Sequence, residues 1–301
     1  MLKRLFTILL LLLTLSSCQK ETIVVSDGAD SGTSVQLPET PERVAVLFSS
    51  LADIWVTAGG KVDITVGETV ERGFANNDAV LVDGGAGKTI DLEALVAAKP
   101  DVIFASADVE AQVNAARFCL HSDIASAISL RVDSFEDYLE VLKIMTTLTG
   151  ENERYETYGL KVKEEIDGIL RGTDASGKKV LFIRAASSAK ATKAKTADDH
   201  FAAAMLKDFG TCNIAESAPV LLDGISYEEI LLQNPEHIFI STMGDELAAK
   251  AYINSMFCEP LWQSIDAVKN GNVHFLPKEL FQYKPNSRWA DAYEYLAEIL
   301  K

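Results

Sequence analysis

The feature that most constrains this chain is a unit it writes twice. Residues 91–104 read DLEALVAAKPDVIF, and residues 226–239 read SYEEILLQNPEHIF. A shift of 135 superposes Glu93 on Glu228, Pro100 on Pro235, Asp101 on Glu236, Ile103 on Ile238 and Phe104 on Phe239. Each copy reads as a short helix stopped at a proline and followed by a strand, because proline donates no hydrogen bond and restricts the residue before it. Two helix–strand units have two sheets to cover, so the reading is a pair of α/β lobes.

The hydrophobic pattern around the copies agrees. RVAVLF (43–48) is a continuous apolar run of the buried parallel-strand type, and SSLADIWVTAGG follows as a helix ended by glycines. KVDITVGE reads as a strand, and a helix near 109–119, a strand near 126–132 and a helix over SFEDYLEVLKIMTTLTG complete a first lobe over 41–150. In ENERYETYGLKVKEEIDGILRG (151–172), Tyr155, Tyr158, Val162, Ile166, Ile169 and Leu170 recur mostly at three and four, which predicts one linking helix of about 30 Å. KKVLFIRA, DDHFAAAMLKDFG, the second copy, DELAAKAYINSMF, NVHFLP and a closing helix from Asn286 make a second lobe over 173–301. The expected fold class is α/β: two Rossmann-like lobes with parallel sheets, joined by one long helix, with a ligand cleft between them.

The amino terminus sets the address. MLKRLFTILLLLLTLSSCQKE has Lys3 and Arg4, then an apolar core, then small residues before Cys18. This is a secretory signal over 1–17, too short for a membrane span. Leu15-Ser16-Ser17-Cys18 resembles the lipobox of bacterial lipoproteins, which implies a lipid on Cys18 and an exported, membrane-tethered protein. Residues 18–40 are polar and rich in Gly, Ser and Asp, the composition of a flexible tether. Losing the signal moves the formal net charge from −16 to −18, which disfavours nucleic acid and favours partners with basic faces. The remaining cysteines, Cys119, Cys212 and Cys258, read as buried free thiols, with a Cys212–Cys258 pair as the alternative. The four histidines form no i, i+4 pair and no zinc signature.

In order and spacing, PERVAVLFSSLADI, VGE, LEALVAAKPDVIFAS, SFEDYLEVLKIMTTLTG, YEEILLQNPEHIFIS, PLWQSIDAVKNGNVHFLP and RWADAYEYLAEIL resemble the substrate-binding lipoproteins of ABC importers for ferric siderophores, haem and cobalamin. The resemblance runs from about Pro41 to the end. It implies a monomeric carrier of a metal chelate and a homodimeric permease with its ATPase as partner. It also implies one permease-docking glutamate per lobe, Glu93 and Glu228. A carrier facing a two-fold partner needs one equivalent anchor on each lobe, which accounts for the repeat. The competing reading is local: an acid in a first turn is favoured by the helix dipole, and Ser226 with Glu229 spells a capping box.

Ligands of α/β sheets sit beyond the carboxyl ends of strands. That rule selects Phe48, Ser49, Glu71, Arg72, Ser106, Arg184 and Met243. The loop RAASSAKATKAKTADD adds Lys190, Lys193 and Lys195 to Arg184, an unusual cationic cluster in an acidic chain that suits an anionic ligand. FQYKPNSRWADAY offers Phe281, Tyr283, Lys284, Arg288 and Trp289 for stacking and charge contacts with a large chelate. Trp55 and Trp262 read as core. No residue set ligates bare metal and no resident cofactor is signalled, so a siderophore or haem leads and cobalamin follows. The rival classes are a chelatase-like enzyme, which needs a histidine poised with a carboxylate, and a surface-anchored sensor or adhesin. GGAGKT lacks the preceding strand and spacing of a phosphate loop.

Overall fold

A computed structural model describes residues 22–29, 34–84 and 87–301; the signal segment and Cys18 lie outside the described residues. The first finding corrects the tether. β1 (Thr22–Ser26) and β2 (Ser34–Pro38) pair as an antiparallel hairpin with Thr22 opposite Pro38. Val25, Val35 and Leu37 enter the core of the first lobe. Gly/Ser-rich composition concealed a period-two apolar pattern, and that pattern decides the outcome.

The first sheet holds β3 (Val44–Val46), β4 (Ile64–Thr65), β5 (Val80–Leu81), β6 (Val102–Ser106) and β7 (Ser126–Leu130) in the order β5-β4-β3-β6-β7, all parallel. Only two residues of KVDITVGE are strand. Gly67 donates its N–H to Asp83 Oδ1 at 2.9 Å, and a short helix, Gly67–Glu71, starts there. The hairpin docks on β7: Gly28 N–H donates to the Ser129 carbonyl, and Asp27 Oδ2 accepts from Ser129 N–H at 3.0 Å. A Cβ at residue 28 would lie 2.8 Å from that carbonyl oxygen, so the approach requires glycine.

The second sheet holds β8 (Lys179–Ala185), β9 (Lys193–Ala194), β10 (Cys212–Asn213), β11 (His237–Thr242) and β12 (Val273–Phe275). Its order is β10-β8-β11-β12, parallel throughout, with β9 antiparallel against β8.

The two copies of the unit are structural equivalents in their caps, turns and strand clamps. Asp91 accepts the N–H of Ala94 and Ser226 that of Glu229, capping the helices Leu92–Ala97 and Tyr227–Gln233. The reciprocal half of the expected capping box is replaced, because Glu229 accepts from Gln233 Nε2 at 2.9 Å. Lys99 (φ 52°) and Asn234 (φ 45°) turn the chain in the left-handed region just before each proline. Asp101 then takes the N–H groups of Glu42 and Arg43 at 2.8 and 2.9 Å, and Glu236 takes that of Lys179 at 3.0 Å. Each acid thereby fixes the start of the neighbouring strand, β3 or β8.

Phe104 and Phe239 face one shared core, while Ile103 and Ile238 face the separate outer layer of their own lobe. The shared core also takes the helix Phe135–Thr149 and the closing helix Trp289–Leu300. Trp55 and Trp262 are core, 3 % and 5 % exposed. Cys119, Cys212 and Cys258 are free thiols as expected; Cys119 is buried, but Cys212 and Cys258 are exposed, against the expectation of burial.

The linking rod is not uniformly α-helical. Asn152–Tyr155 and Lys161–Gly172 are α, and Glu156–Leu160 between them is a π turn. The wide turn frees a carbonyl, and the buried Tyr138 hydroxyl donates to Tyr158 O at 3.0 Å. Burial and the nearby Asp53 hold the Tyr138 hydroxyl far above its ordinary pKa, so it remains a donor. Val162 and Ile166 are buried as the spacing predicts, while Tyr158 turns outward. Among the described residues, no helix is long and apolar enough to cross a membrane.

Candidate functional site

Residues at or beyond the carboxyl ends of β6, β7, β8 and β11 line a cavity of about 540 Å³. The first lobe supplies Asp108 and Asp133. The second supplies Arg184, Ser241, Thr242 and residues 197–201, and the segment leading into the closing helix adds Gln282 and Lys284.

That segment is held across the lobes by buried polar contacts. Asn286, at φ 51°, donates from Nδ2 to Asp53 Oδ2 at 2.8 Å and to the Ser50 carbonyl at 3.0 Å. Burial raises the pKa of Asp53, with Asn286 and Arg72 opposing. Arg72 donates to Ser49 Oγ at 2.8 Å, and its guanidinium lies 4.0 Å from the Tyr283 ring centre.

The charges on the first-lobe wall are already paired. Lys284 Nζ meets Asp133 Oδ1 at 2.9 Å and sits 4.9 Å from the Phe201 ring centre. Arg131 meets Asp108 at 3.1 Å and Asp133 at 3.8 Å. Arg184 has no ion pair among the described residues. On the second-lobe side, Ser241 Oγ, Thr242 Oγ1 and Gln282 Oε1 are buried without any hydrogen-bond partner. Ser241 and Thr242 are each 2 % exposed. An unmet buried polar group costs about 1–3 kcal/mol, so three around one cavity mark a place where a ligand can supply the partners.

His200 belongs to the same lining. Its Nδ1 accepts the Ala202 N–H at 3.2 Å, capping the helix Phe201–Asp208, and its ring packs on Phe182 and Phe201. Burial, followed by Lys284, Arg184 and Lys195, pulls its pKa down to about 3. The imidazole is therefore neutral, between the cations Arg184 and Lys284 and the carboxylates Asp198 and Asp199 of the same lining.

A small annex of about 40 Å³ adjoins the cavity, sharing Asp108 and Lys284 and lined also by Phe48, Ser50 and Ser106. The structure thus brings Arg184 to the cleft and Phe48 and Ser106 to its annex, with Lys195 near His200. Ser49, Arg72 and Tyr283 brace the lobes instead. Lys190 and Lys193 lie off the lining, on the excursion around β9. Glu71 is exposed away from it, Met243 ties its N–H to Ala185 O, and Arg288 pairs with Asp291 on its own helix.

Two aromatic expectations are overturned. Phe281 is 0 % and Trp289 1 % exposed. Trp289 packs edge-on against Phe135 and Phe201, so neither residue has surface left for a ligand. Sequence reasoning missed Ser241, Gln282, His200, Asp108 and Asp133. At the end of β11 the lining residue is Thr242, next to the expected Met243.

Glu93 and Glu228 are both exposed in the first turns of the equivalent helices. Glu93 stands at the cleft edge of its sheet, since Asp91 N–H donates to Val82 O just beyond β5. At the opposite edge of the second sheet, His237 Nδ1 lies 3.2 Å from His274 Nε2. Burial lowers the pKa of both, that of His274 to about 4. Among the described residues, no group of three or more His, Cys, Asp and Glu is placed to hold a metal.

Two α/β lobes, a helical rod and a cleft with unmet polar groups define a substrate-binding protein. The sequence profile of the periplasmic binding protein family matches residues 44–280, and the chain belongs to that family, whose members work outside the cytoplasm. Among solved structures it is similar to SirA of Staphylococcus aureus complexed with staphyloferrin B (20 % identity, 93 % of this chain and 98 % of that one, TM-score 0.70). It is also similar to the iron-uptake system-binding protein FeuA of Bacillus subtilis (17 %, 93 % and 100 %, 0.72). A third is the siderophore-binding protein BauB, bound to two molecules of acinetobactin and ferric iron (16 %, 93 % and 99 %, 0.71). No curated protein sequence matches the chain.

Proposed function

We propose that this chain is the substrate-binding lipoprotein of an ABC importer and that its cleft captures a ferric siderophore. Cys18 carries the lipid. Glu93 and Glu228 dock the monomer on a homodimeric permease that works with its ATPase. The observation that carries the ligand reading is the set of unmet polar atoms on Ser241, Thr242 and Gln282 beside Arg184 and Lys284. Phe201 is the one large apolar side chain on the lining, which favours a hydrophilic chelate over the broad apolar faces of haem or cobalamin. The similar structures solved with staphyloferrin B and with ferric acinetobactin support the same choice.

The test is a thermal-shift screen of the mature chain against ferric catecholate, hydroxamate and citrate chelates, haem and cobalamin. A ligand at 100 times its Kd adds about 2.7 kcal/mol of stability. A ferric siderophore should stabilise the chain, and Ser241→Ala with Thr242→Ala should weaken it at least about tenfold, the ~1.4 kcal/mol of one lost hydrogen bond. Stabilisation by haem or cobalamin alone would refute the siderophore reading. Reversing Glu93 and Glu228 to lysine should abolish uptake and leave ligand affinity unchanged, because rim charges govern docking.

A further inference from the structure

The hairpin decides where the chain leaves the fold. β2 leads to Glu42 and Arg43, whose N–H groups rest on Asp101 at the amino-terminal edge of the first sheet. Thr22 pairs with Pro38 at that same end. The other end of the hairpin reaches the cleft side, where Asp27 and Gly28 bond Ser129 near the carboxyl end of β7. The chain therefore exits at the base of the lobe, while the cleft and Glu93 lie at the top. The helix Phe135–Thr149 spans that height with 15 residues, about 22 Å. From Cys18 to Thr22 there are four residue steps, at most about 14 Å of extended chain.

We infer that the base of the first lobe rests on the lipid headgroups that hold the anchor, with the cleft facing away from that membrane, and that β1 is released when the cleft edge turns to a permease in the same membrane. This rests on the proposed lipid at Cys18 and the proposed docking through Glu93 and Glu228. With β1 folded, the anchor cannot span the height of the lobe.

β1 is the strand suited to release. Of its described residues only Val25 is buried, Val24 is 64 % exposed, and a cavity of about 520 Å³ lies between β1 and the helix Phe135–Thr149. β2 holds on through Val35 and Leu37, at 3 % and 0 %. Freeing residues 22–29 adds about 27 Å of chain, enough to pass the lobe. Folded, the strap presents the cleft for capture; released, it permits delivery.

The lipidated full chain in vesicles carrying headgroup-nitroxide lipid tests the first half. A fluorophore at Lys61→Cys (base) or Glu110→Cys (cleft side), in a Cys212→Ser, Cys258→Ser background, should be quenched at 61 and unquenched at 110. Equal quenching overturns the orientation.

Val24 and Gln36 are cross-strand partners, so Val24→Cys with Gln36→Cys staples β1 in place. In vesicles holding a permease–ATPase that responds to the soluble Cys18→Ala chain, the stapled lipidated chain should lose ATPase stimulation. Reductant, or a Gly/Ser spacer of about 12 residues (about 40 Å) after Lys20, should restore it, and the stapled soluble chain should be fully active. Stimulation by the stapled lipidated chain equal to that of its reduced form overturns the strap. A soluble chain silent toward every permease–ATPase overturns the docking reading instead, and an unmodified Cys18 by mass spectrometry overturns the anchor.

Discussion

The two lobes are built from one unit and finished differently. At their bases they agree closely: Asp101 and Glu236 follow equivalent prolines and each clamps the backbone at the start of a neighbouring strand. At their tops they part. β3 passes almost directly into the helix Ser49–Thr57, whereas β8 enters an excursion through β9 before the helix Phe201–Asp208 begins. The unmet polar atoms of the cleft lie on the second lobe and the connecting segment, while the acids of the first lobe are already paired. Conserving the base preserves the architecture and the spacing of the two glutamates. Varying the top fits the proposed division, in which one lobe holds the ligand and the other walls it in.

The comparison is broken most directly at the shared core. Trp289→Ala should cost about 3–5 kcal/mol, because it empties the contact between Phe135 and Phe201. Urea unfolding followed by a probe in each lobe should show both shifting together; a shift confined to one lobe would mean that the lobes are energetically separate.

The next effect is acid sensitivity specific to the second lobe. His200 is neutral in the fold down to about pH 3 but takes a proton near pH 6.5 once unfolded. The unfolded state binds more protons in that window, so stability is full above about pH 6.5 and falls as pH drops toward 3. Between pH 7 and 4.5 this term removes about 2–3 kcal/mol. His200→Asn, which keeps a capping acceptor, should flatten the slope of Tm against pH. An unchanged slope would place the sensitivity elsewhere.

The finest comparison sets the two base clamps side by side. Asp101 accepts two backbone N–H groups and Glu236 one. Asp101→Ala, which removes both acceptors, should therefore cost about 2 kcal/mol and Glu236→Ala about 1 kcal/mol. Equal losses by chemical denaturation would show that the second bond of Asp101 contributes nothing.

Much of the fold was legible because its signals are local. A proline stop, a cap and a continuous apolar run fix each unit within about fourteen residues, and the alternation of units implies the lobes. What escaped depends on partners far along the chain. The hairpin's Val25, Val35 and Leu37 look isolated in a polar stretch until the first lobe offers them a surface. Phe281 and Trp289 carry the composition of a ligand loop, yet Trp289 is claimed by Phe135 and Phe201. The π turn was illegible for the same reason, since its freed carbonyl is met by Tyr138, twenty residues earlier. At the cleft, the carboxyl-end rule found the right strands but not which of two adjacent side chains faces the cavity.

The shared core has a consequence for the order in which the chain is made. All strands of the first lobe precede residue 131, but the inner face of its sheet belongs to a core completed by residues 289–300. A chain emerging from its amino end therefore carries an incompletely covered apolar face until residues 289–300 have appeared. For an exported protein that delay is useful: the polypeptide stays threadable while it crosses the membrane, and the helix Trp289–Leu300 sets the moment at which both lobes lock.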